Sequence, residues 1–274
     1  MQVCEIFYSI QGEGQEIGQP AVFLRLQGCN LRCKFCDTAY SQKINKNIHT
    51  NSEKNIPTTE ILKEIKKFPA KHLVITGGEP LLQQKELIPL LKKLKNYFIE
   101  IETNGTIKPD ISQYINKFNC SPKLSNAIKN PLAYNSLKFF PKEKTIYKFV
   151  INDQKDIKEA KKFIRDNHLP KNKVFLMPQG KTTEEIIEKS KFLIEICKKE
   201  LFGFAPRLHI MLWNNQKKVG QKKKKKNPVP LFSFREAKIP QHVGCGQKTI
   251  SKKFLQSLLI TGKDTTSKSI PRKK

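Results

Sequence analysis

Over the first 219 residues, short apolar runs alternate with longer stretches whose apolar residues recur at helical spacing. The short runs are rich in β-branched residues and end at Gly, Pro, Asn or polar clusters, which predicts strands buried on both faces. The longer stretches place apolar side chains three and four residues apart, which predicts amphipathic helices. The predicted strands span residues 21–26, 72–76, 98–102, 145–151 and 174–177, and the predicted helices span residues 58–68, 84–95, 155–167 and 183–201.

The order strand-then-helix predicts an α/β fold with a parallel sheet and right-handed crossovers. Only three or four such units are visible, whereas a closed barrel of about 250 residues needs eight. We therefore expect an open sheet or an incomplete barrel. Parallel sheets bind ligands at the carboxyl ends of their strands, and residues 28–36, 77–79 and 103–105 each follow a predicted strand.

Charge divides the chain into two parts. The sequence has 52 Lys and Arg against 24 Asp and Glu, a net charge of +28. Residues 220–274 contain fifteen basic and two acidic residues, including five consecutive lysines at 222–226. One-signed charge with low complexity is typical of disorder. We predict a folded domain at 1–219 and a disordered basic tail at 220–274.

The class of protein is narrowed further by what the chain lacks. No apolar run reaches the roughly 18–20 residues that span a bilayer, and the start is not a basic segment followed by an apolar one. We therefore expect a cytoplasmic protein without a membrane segment. In a reducing compartment the seven cysteines are interpreted as metal ligands or core thiols before disulfides.

Three cysteines lie within eight residues, at Cys29, Cys33 and Cys36, with the spacing C-x3-C-x2-C. Thiolates are the ligands of iron–sulfur clusters and of zinc, and such sites are normally closed by four ligands. A triad therefore leaves one metal vertex for another molecule. The alternative is a zinc site whose fourth ligand is a distant residue, Cys120 or His49.

A second motif, Gly77-Gly78-Glu79-Pro80, follows the predicted strand 72–76. Two glycines let the backbone approach a ligand closely, and the carboxylate can accept hydrogen bonds from an amine. The alternative interpretation is an ordinary turn between a strand and a helix.

Other polar residues flank the cysteine loop. Arg25 lies inside an apolar strand, where a guanidinium needs an anionic partner such as a ligand carboxylate, or Glu5, Glu100 or Glu102. Asp37-Thr38 offers the hard oxygen atoms that Mg²⁺ selects, or else caps the next segment. The loop at residues 9–14 (Ser-Ile-Gln-Gly-Glu-Gly) is either part of a binding site or a surface turn.

The cysteine triad followed by Gly-Gly-Glu-Pro resembles the radical S-adenosylmethionine (SAM) superfamily. With the loop at 9–14, Arg25 and Asp37-Thr38, the chain resembles the 7-carboxy-7-deazaguanine synthase family from about Val3 to Val219. The resemblance also includes Glu102-Thr103-Asn104-Gly105, Ser121-Pro122-Lys123 and residues 208–214. It implies a partial βα barrel of about six mainly parallel strands and three or more helices, assembled as a homodimer.

The activity implied by this resemblance is a lyase reaction. It converts 6-carboxy-5,6,7,8-tetrahydropterin to 7-carboxy-7-deazaguanine with loss of ammonia, on the route to queuosine and other 7-deazapurines. It requires a 4Fe-4S cluster, SAM, Mg²⁺ and an external electron donor. The cofactor carries out the radical chemistry, and the protein orients the reactants and excludes water.

The resemblance also assigns residues. The metal ligands would be Cys29, Cys33 and Cys36 for the cluster and Thr38 for Mg²⁺. The residues lining SAM would be Phe35, Cys36, Asp37, Gly78, Ser121, Pro122 and Lys123. The residues holding the pterin would be Ile10, Gln11, Gly12, Arg25 and Thr76. No role is assigned to His72 or His209.

Two other functions share part of this pattern. A radical-SAM activase of a glycyl-radical partner protein would have the same cysteine and glycine motifs but would not explain Gln11–Gly14, Arg25 and Thr38. A basic zinc-binding module that docks on nucleic acid would explain the tail through counterion release. Because the product of the implied reaction is a free base, we expect no nucleic-acid contact and a dispensable tail.

Overall fold

The computed structural model of the chain describes residues 1–42, 55–129 and 134–214. Its sheet has eight strands in the spatial order β1 to β8. The strands are β1 Val3–Ile10, β2 Pro20–Leu26, β3 His72–Gly77, β4 Phe98–Thr103, β5 Lys117–Cys120, β6 Thr145–Ile151, β7 Val174–Pro178 and β8 Gly203–Phe204. The α-helices are α1 Thr58–Lys66, α2 Gln84–Lys93, α3 Gln154–Asp166, α4 Thr183–Glu200 and α5 Leu208–Trp213.

The expected α/β architecture with a mainly parallel sheet is confirmed. Strands β2 to β8 run parallel, and β1 pairs antiparallel with β2. The sheet has β1 and β8 at its two ends in the described residues, so the barrel is incomplete. It has eight strands where about six were expected, because β1, the four-residue β5 and the two-residue β8 join the five strands that the pattern predicts.

The helices bury the apolar stripes that the sequence predicts. Helix α1 buries Ile61 and Ile65, and α4 buries Ile186 and Leu193. Helix α3 begins with a capping box in which the Asp153 side chain accepts hydrogen bonds from backbone N–H groups of the first turn. Such contacts satisfy donors that have no partner within the helix.

The inner face of the sheet carries charge as well as apolar residues. Glu100 and Glu102 lie two residues apart on β4 and therefore share one face. Neighbouring strands contribute Asn119 from β5 and Lys148 from β6 to the same face. Lys148, Glu100 and Asn119 are almost completely buried. The interior of the barrel thus contains a cluster of hydrogen-bonded polar side chains.

None of the helices in the described ranges combines the length and the apolar character needed to cross a bilayer. The predicted boundary at 219/220, the basic tail and His49 lie outside the described residues, so the predictions for them stay predictions.

Candidate active site

A cavity of about 710 Å³ opens at the carboxyl ends of the parallel strands. This is the end at which open α/β sheets bind their ligands. Its wall combines the cysteine loop, the ends of β3 and β4, the loop after β1 and the start of α5. The segments found separately in the sequence therefore meet in one place.

The cysteine loop is a compact turn that leaves β2. Gly28 has φ +92°, a conformation that favours glycine, and its N–H donates to Ser41 O at 2.7 Å. The N–H of Cys29 donates to Gln42 O at 3.1 Å. These bonds fold the loop back on its own end, so that Cys29, Cys33 and Cys36 all line the cavity.

The three thiols suit a cluster better than a single zinc ion. In the described residues, ligand atoms of three His, Cys, Asp or Glu side chains lie within 4.8 Å of one another only at Glu13, Asp37 and His209. At least one pair of the three sulfurs is therefore more than 4.8 Å apart, whereas two sulfurs on one zinc lie at most about 4.6 Å apart, twice the Zn–S distance of about 2.3 Å. Soft sulfur ligands that are not all within reach of one zinc ion fit an iron–sulfur cluster.

The thiols must lose their protons to bind iron. Burial raises the pKa of Cys29, and burial likewise raises the pKa of Cys33, where the nearby Lys123 ammonium acts in the opposite direction. Cluster binding would therefore release protons. Cys120, an alternative fourth ligand, is buried on β5 beneath Gly105 and does not line the cavity.

The two glycines at the end of β3, Gly77 and Gly78, are required by the backbone of the cysteine loop. Gly77 has φ +137°, and a Cβ there would lie 2.1 Å from Leu26 O. A Cβ on Gly78 would lie 2.0 Å from Gly28 O. In return, the N–H of Gly78 donates to Leu26 O at 3.1 Å. Any larger residue would push the cysteine loop away from β3.

Glu79 has a structural role, because its carboxylate links two neighbouring segments by hydrogen bonds. Its carboxylate is completely buried and accepts hydrogen bonds from Leu81 N at 3.0 Å, Thr103 Oγ1 at 2.8 Å and Asn104 N at 2.7 Å. Burial raises the pKa of Glu79, while these hydrogen bonds act to lower it. The carboxylate thus joins the ends of β3 and β4, and its oxygens are engaged by the protein.

Arg25 pairs with Glu5, one of the three protein partners that the sequence offered. Its Nε lies 2.7 Å from Glu5 Oε1, and Tyr40 Oη donates to the same oxygen at 2.8 Å. Arg25 and Glu5 both line the cavity. Since the bond to Glu5 uses Nε, the outer edge of the guanidinium can still face a ligand anion.

The loop after β1 is held by α5. The N–H of Leu208 donates to Gly12 O at 2.9 Å, and a Cβ on Gly12 would lie 2.4 Å from Nδ1 of His209. The Gly12 position therefore lets the imidazole ring pack against the loop. Burial lowers the pKa of His209, although Glu13 acts to raise it.

Glu13 lies between two buried cations. Its Oε2 accepts from Lys148 Nζ at 2.6 Å and its Oε1 accepts from Arg207 Nε at 3.2 Å. Burial alone would raise the pKa of Glu13, but Lys148, Arg207 and His209 together hold it well below its ordinary value. Lys148 also donates to Glu102 Oε2 at 2.9 Å. Glu13 is therefore a fixed anion beside the cavity.

Arg207 joins Glu13 to Asp37 at the end of the cysteine loop. Its Nη2 donates to Asp37 Oδ2, and its Nη1 donates to Gly180 O at 2.9 Å. Burial acts to lower the pKa of Arg207, but the charges of Glu13 and Asp37 raise it overall. The guanidinium neutralises two of the three side chains in the Glu13, Asp37 and His209 group, so this group is not a vacant cation site.

The structure brings together all of the site residues predicted from the sequence except Pro122. Pro122 is buried between Ser121 and Lys123, while those two line the cavity with Lys123 Nζ donating to Ser121 Oγ at 3.0 Å. The predicted residues on the cavity wall are Ile10, Gln11, Gly12, Arg25, Cys29, Cys33, Phe35, Cys36, Asp37, Thr38, Thr76, Gly78, Ser121 and Lys123. Thr38 precedes a short 3₁₀ helix, Ala39–Ser41, without a capping bond from its side chain.

Several titratable residues on the wall were assigned no site role from the sequence, and five of them form or adjoin its ion pairs. They are Glu13, Glu102, Lys148, Arg207 and His209. The sequence did contain a signal for Lys148. It is a cation inside the apolar strand Thr145–Ile151, just as Arg25 is a cation inside β2. Its partners could not be identified, since Glu13 lies 135 residues away along the chain.

Known proteins match this chain over most of its length. Residues 24–194 match the Radical SAM superfamily. A 7-carboxy-7-deazaguanine synthase of Pyrobaculum aerophilum is 36% identical over 222 residues, covering 78% of this chain and 96% of that protein. The enzyme of the same name from Clostridium acetobutylicum is 33% identical over 230 residues, covering 79% and 98%.

A solved structure agrees with the sequence matches. The crystal structure of QueE from Escherichia coli superposes with a TM-score of 0.60 and 25% sequence identity. The superposition covers 76% of this chain and 94% of that one.

Proposed function

This chain belongs to the 7-carboxy-7-deazaguanine synthases of the radical SAM superfamily, and from this membership we propose the reaction that it catalyses. The reaction converts 6-carboxy-5,6,7,8-tetrahydropterin to 7-carboxy-7-deazaguanine with loss of ammonia, as a step towards queuosine and other 7-deazapurines. The observation that carries the proposal is the meeting of the three-thiol loop with a wall of fixed charges in one cavity.

Cys29, Cys33 and Cys36 would hold a 4Fe-4S cluster. Bound there together, the cluster and SAM would supply the radical chemistry that removes hydrogen from the substrate. The residues proposed to line SAM are Phe35, Cys36, Asp37, Gly78, Ser121, Pro122 and Lys123. The hydrogen bond from Arg207 to Asp37 supports this placement, because it holds the end of the cysteine loop against the cavity.

The charges of the wall suit a carboxylated pterin. Arg25 offers a planar guanidinium to the substrate carboxylate. The aminopyrimidinone edge of a pterin presents adjacent N–H donors, for which the acceptors Glu13 and Glu102 on the wall are suitable partners. We propose that Ile10, Gln11, Gly12, Arg25 and Thr76 hold the pterin.

A magnesium ion is proposed at Thr38. Its hydroxyl lies on the cavity wall 3.8 Å from Cys36 Sγ. Mg²⁺ commonly takes few ligands from protein, while substrate and water supply the rest. Thr38 would contribute its hydroxyl oxygen to the ion, and the remaining ligands would come from substrate and water.

The two other functions are less well supported. A glycyl-radical activase would have to admit a polypeptide, whereas this wall is lined by fixed charges such as Lys148 with Glu13. A zinc module would need sulfurs closer together than the cysteine loop places them. The nearly full-length match to the deazaguanine synthases favours the first function over both.

The location, the oligomeric state and the partners of the enzyme are also proposed. We propose that it acts in the cytoplasm as a homodimer, takes its electron from an external donor and does not bind nucleic acid.

The experiment is a turnover assay on the reconstituted protein under anaerobic conditions. Protein with SAM, a reductant, Mg²⁺ and the carboxypterin is expected to yield 7-carboxy-7-deazaguanine, detected by mass, together with ammonia. The matched control is Cys33→Ser, which is expected to give no product. Wild-type protein that holds its cluster and cleaves SAM but leaves the pterin unchanged would contradict the proposal.

A further inference from the structure

One guanidinium group holds segments from both sides of the sheet. Arg207 lies just before α5, and its Nε donates to Glu13 Oε1 at 3.2 Å, in the loop after β1. Its Nη1 donates to Gly180 O at 2.9 Å, in the segment after β7. Because β1 is the first strand of the sheet and β7 is the last but one, Arg207 joins the two sides of the incomplete barrel beside the candidate active site.

The third contact of Arg207 leads to the cysteine loop. Its Nη2 donates to Oδ2 of Asp37, the residue that directly follows Cys36. In the described residues, this is the one hydrogen bond that ties residues 35–37 to a segment outside the cysteine loop. The position of this part of the loop therefore depends on Arg207.

This contact has a buried part and an exposed part. The Arg207 side chain is 9% exposed, and its partner Glu13 is held by the buried Lys148 at 2.6 Å. The Asp37 side chain is 52% exposed. An ion pair with an exposed member contributes little to stability on its own, so the Asp37 end is the part that a bound ligand can still order. Arg207 is thus the fixed point from which the end of the cysteine loop is held.

The other cations of the cavity wall bind partners outside the cysteine loop. The pairs are Lys148 with Glu13 and Glu102, Arg25 with Glu5, and Lys123 with Ser121. In the part of the chain that the structure describes, Arg207 is therefore the cation of the wall that hydrogen-bonds to the cysteine loop.

The two carboxylates that Arg207 joins belong to different ligands in the proposed function. Asp37 lies in the region assigned to SAM, and Glu13 follows Gln11 and Gly12 in the region assigned to the pterin. A carboxylate has about four lone-pair sites, so each group can accept a hydrogen bond from its ligand while it keeps the bond to Arg207. A ligand on either carboxylate therefore restrains the other one through the shared guanidinium.

We infer that Arg207 is a positioning residue that couples the two regions, so that SAM and the carboxypterin each strengthen the binding of the other. The inference rests on the proposed function for the identity of the two ligands. The first ligand to bind restrains both Glu13 and Asp37, so binding of the second removes less conformational freedom from the protein. By linkage, the effect has the same size in both directions. SAM is consequently held most tightly when the substrate is in place.

Binding measurements test the coupling without turnover. Reconstituted enzyme is kept without a reductant, and the Kd of SAM is measured by calorimetry with and without saturating carboxypterin. In wild type the pterin is expected to lower this Kd at least about 5-fold, the lower range of coupling between two sites. The Kd of the pterin should fall by the same factor when SAM is present. An unchanged Kd of SAM in wild type would overturn the inference.

Variants separate the contacts of Arg207 from direct attraction between the two ligands. The sulfonium of SAM and the carboxylate of the pterin attract each other whether or not Arg207 is present. Arg207→Lys keeps the charge but has one nitrogen in place of the planar fork, and its coupling factor is expected to fall below about 2. Asp37→Ala, which alters a half-exposed side chain, is expected to reduce the factor likewise if Arg207→Lys does not fold.

The matched control is Arg165→Lys, at an exposed position on α3, which is expected to keep the wild-type coupling factor. The wild-type factor in a folded Arg207→Lys or Asp37→Ala protein would overturn the inference.

A second readout follows the cysteine loop itself. Carboxypterin alone is expected to slow the exchange of backbone amide hydrogens at residues 35–38 in wild type and to leave it unchanged in Arg207→Lys. Equal exchange in the two proteins would show that Arg207 does not transmit the effect. Product without coupling would refute this inference alone, and coupling without product would refute the proposed function alone. A wild-type protein that does not bind the carboxypterin would refute both.

Discussion

Lys148 Nζ lies 2.6 Å from Glu13 Oε2, which fixes an ammonium group of β6 to a carboxylate of the loop after β1. Lys148 is only 2% exposed, and it also holds Glu102 on β4. Removing one partner of a buried ion pair leaves the other charge buried and uncompensated. The pair therefore determines both the shape of the cavity wall and its charge.

Replacing this lysine should destabilise the protein strongly. Lys148→Met is expected to lower the free energy of unfolding by about 3–5 kcal/mol, because Glu13 and Glu102 lose their shared cation. Denaturant unfolding would measure the change. The control is Lys198→Met, which removes an exposed pair with Glu195 and should cost less than about 1 kcal/mol. Equal effects of the two variants would show that the buried pair is not required.

Gly77, the last residue of β3, should be more sensitive to substitution than another glycine with positive φ. Gly77→Ala is expected to prevent cluster retention, since its Cβ would overlap Leu26 O at 2.1 Å and displace the cysteine loop. Gly18 also has positive φ, at +88°, but a Cβ there would have no atom within 4 Å, so Gly18→Ala is the matched control. Iron content after reconstitution measures the effect. Full iron content in Gly77→Ala would contradict the proposed packing.

Arg25 can be tested for a role beyond its ion pair. Arg25→Ala is expected to raise the KM for the carboxypterin sharply while the iron content stays unchanged. Glu5→Gln weakens the same pair but keeps the guanidinium. If Arg25 binds the substrate carboxylate, only Arg25→Ala loses affinity. Similar kinetics in the two variants would instead assign Arg25 a purely structural role.

Acid should destabilise the protein partly through Glu13. Its pKa in the folded state lies below the ordinary value of 4.5 because Lys148 and Arg207 outweigh the effect of burial. The stabilisation that Glu13 gives is therefore present above about pH 4.5 and is lost as the pH falls below it. The raised pKa of Glu102 acts in the opposite direction.

Glu13→Gln removes the first contribution. Its stability should fall less steeply than that of wild type between about pH 5 and pH 3. Denaturant unfolding of protein whose iron has been removed would measure this without a contribution from acid loss of the cluster. Parallel stability curves for the two proteins would contradict the assignment.

Truncation after Val219 tests the division of the chain. The truncated protein is expected to keep its cluster and to show the kcat and KM of the full chain, because every residue proposed for the site precedes this point. A truncated protein that is folded and holds its iron, yet is inactive, would show that the tail has a function.

The sequence was most informative where chemistry and spacing coincide. The cysteine loop and the two glycines could be placed because parallel strands bring their carboxyl ends together, and the structure places both on one cavity wall. Strand β5 was missed because it has four residues, Lys117–Cys120, and lacks a long apolar run.

The charged interior of the barrel could not be predicted. Glu100 and Lys148 lie in strands whose apolar residues indicate burial on both faces, and burial of a charge depends on partners far away along the chain. Arg25 shows the same limit, since the sequence offered Glu5, Glu100 and Glu102 equally and only the pairing of β1 with β2 selects Glu5.

The proposed function requires that three thiolates hold a cluster with one open vertex. The iron content and the paramagnetic resonance spectrum of anaerobically reconstituted, reduced protein, before and after SAM is added, test this requirement. We expect about four irons per chain and a cluster spectrum that SAM changes, with both lost in Cys29→Ser. Zinc in place of iron, or a cluster spectrum that SAM leaves unaltered, would contradict it.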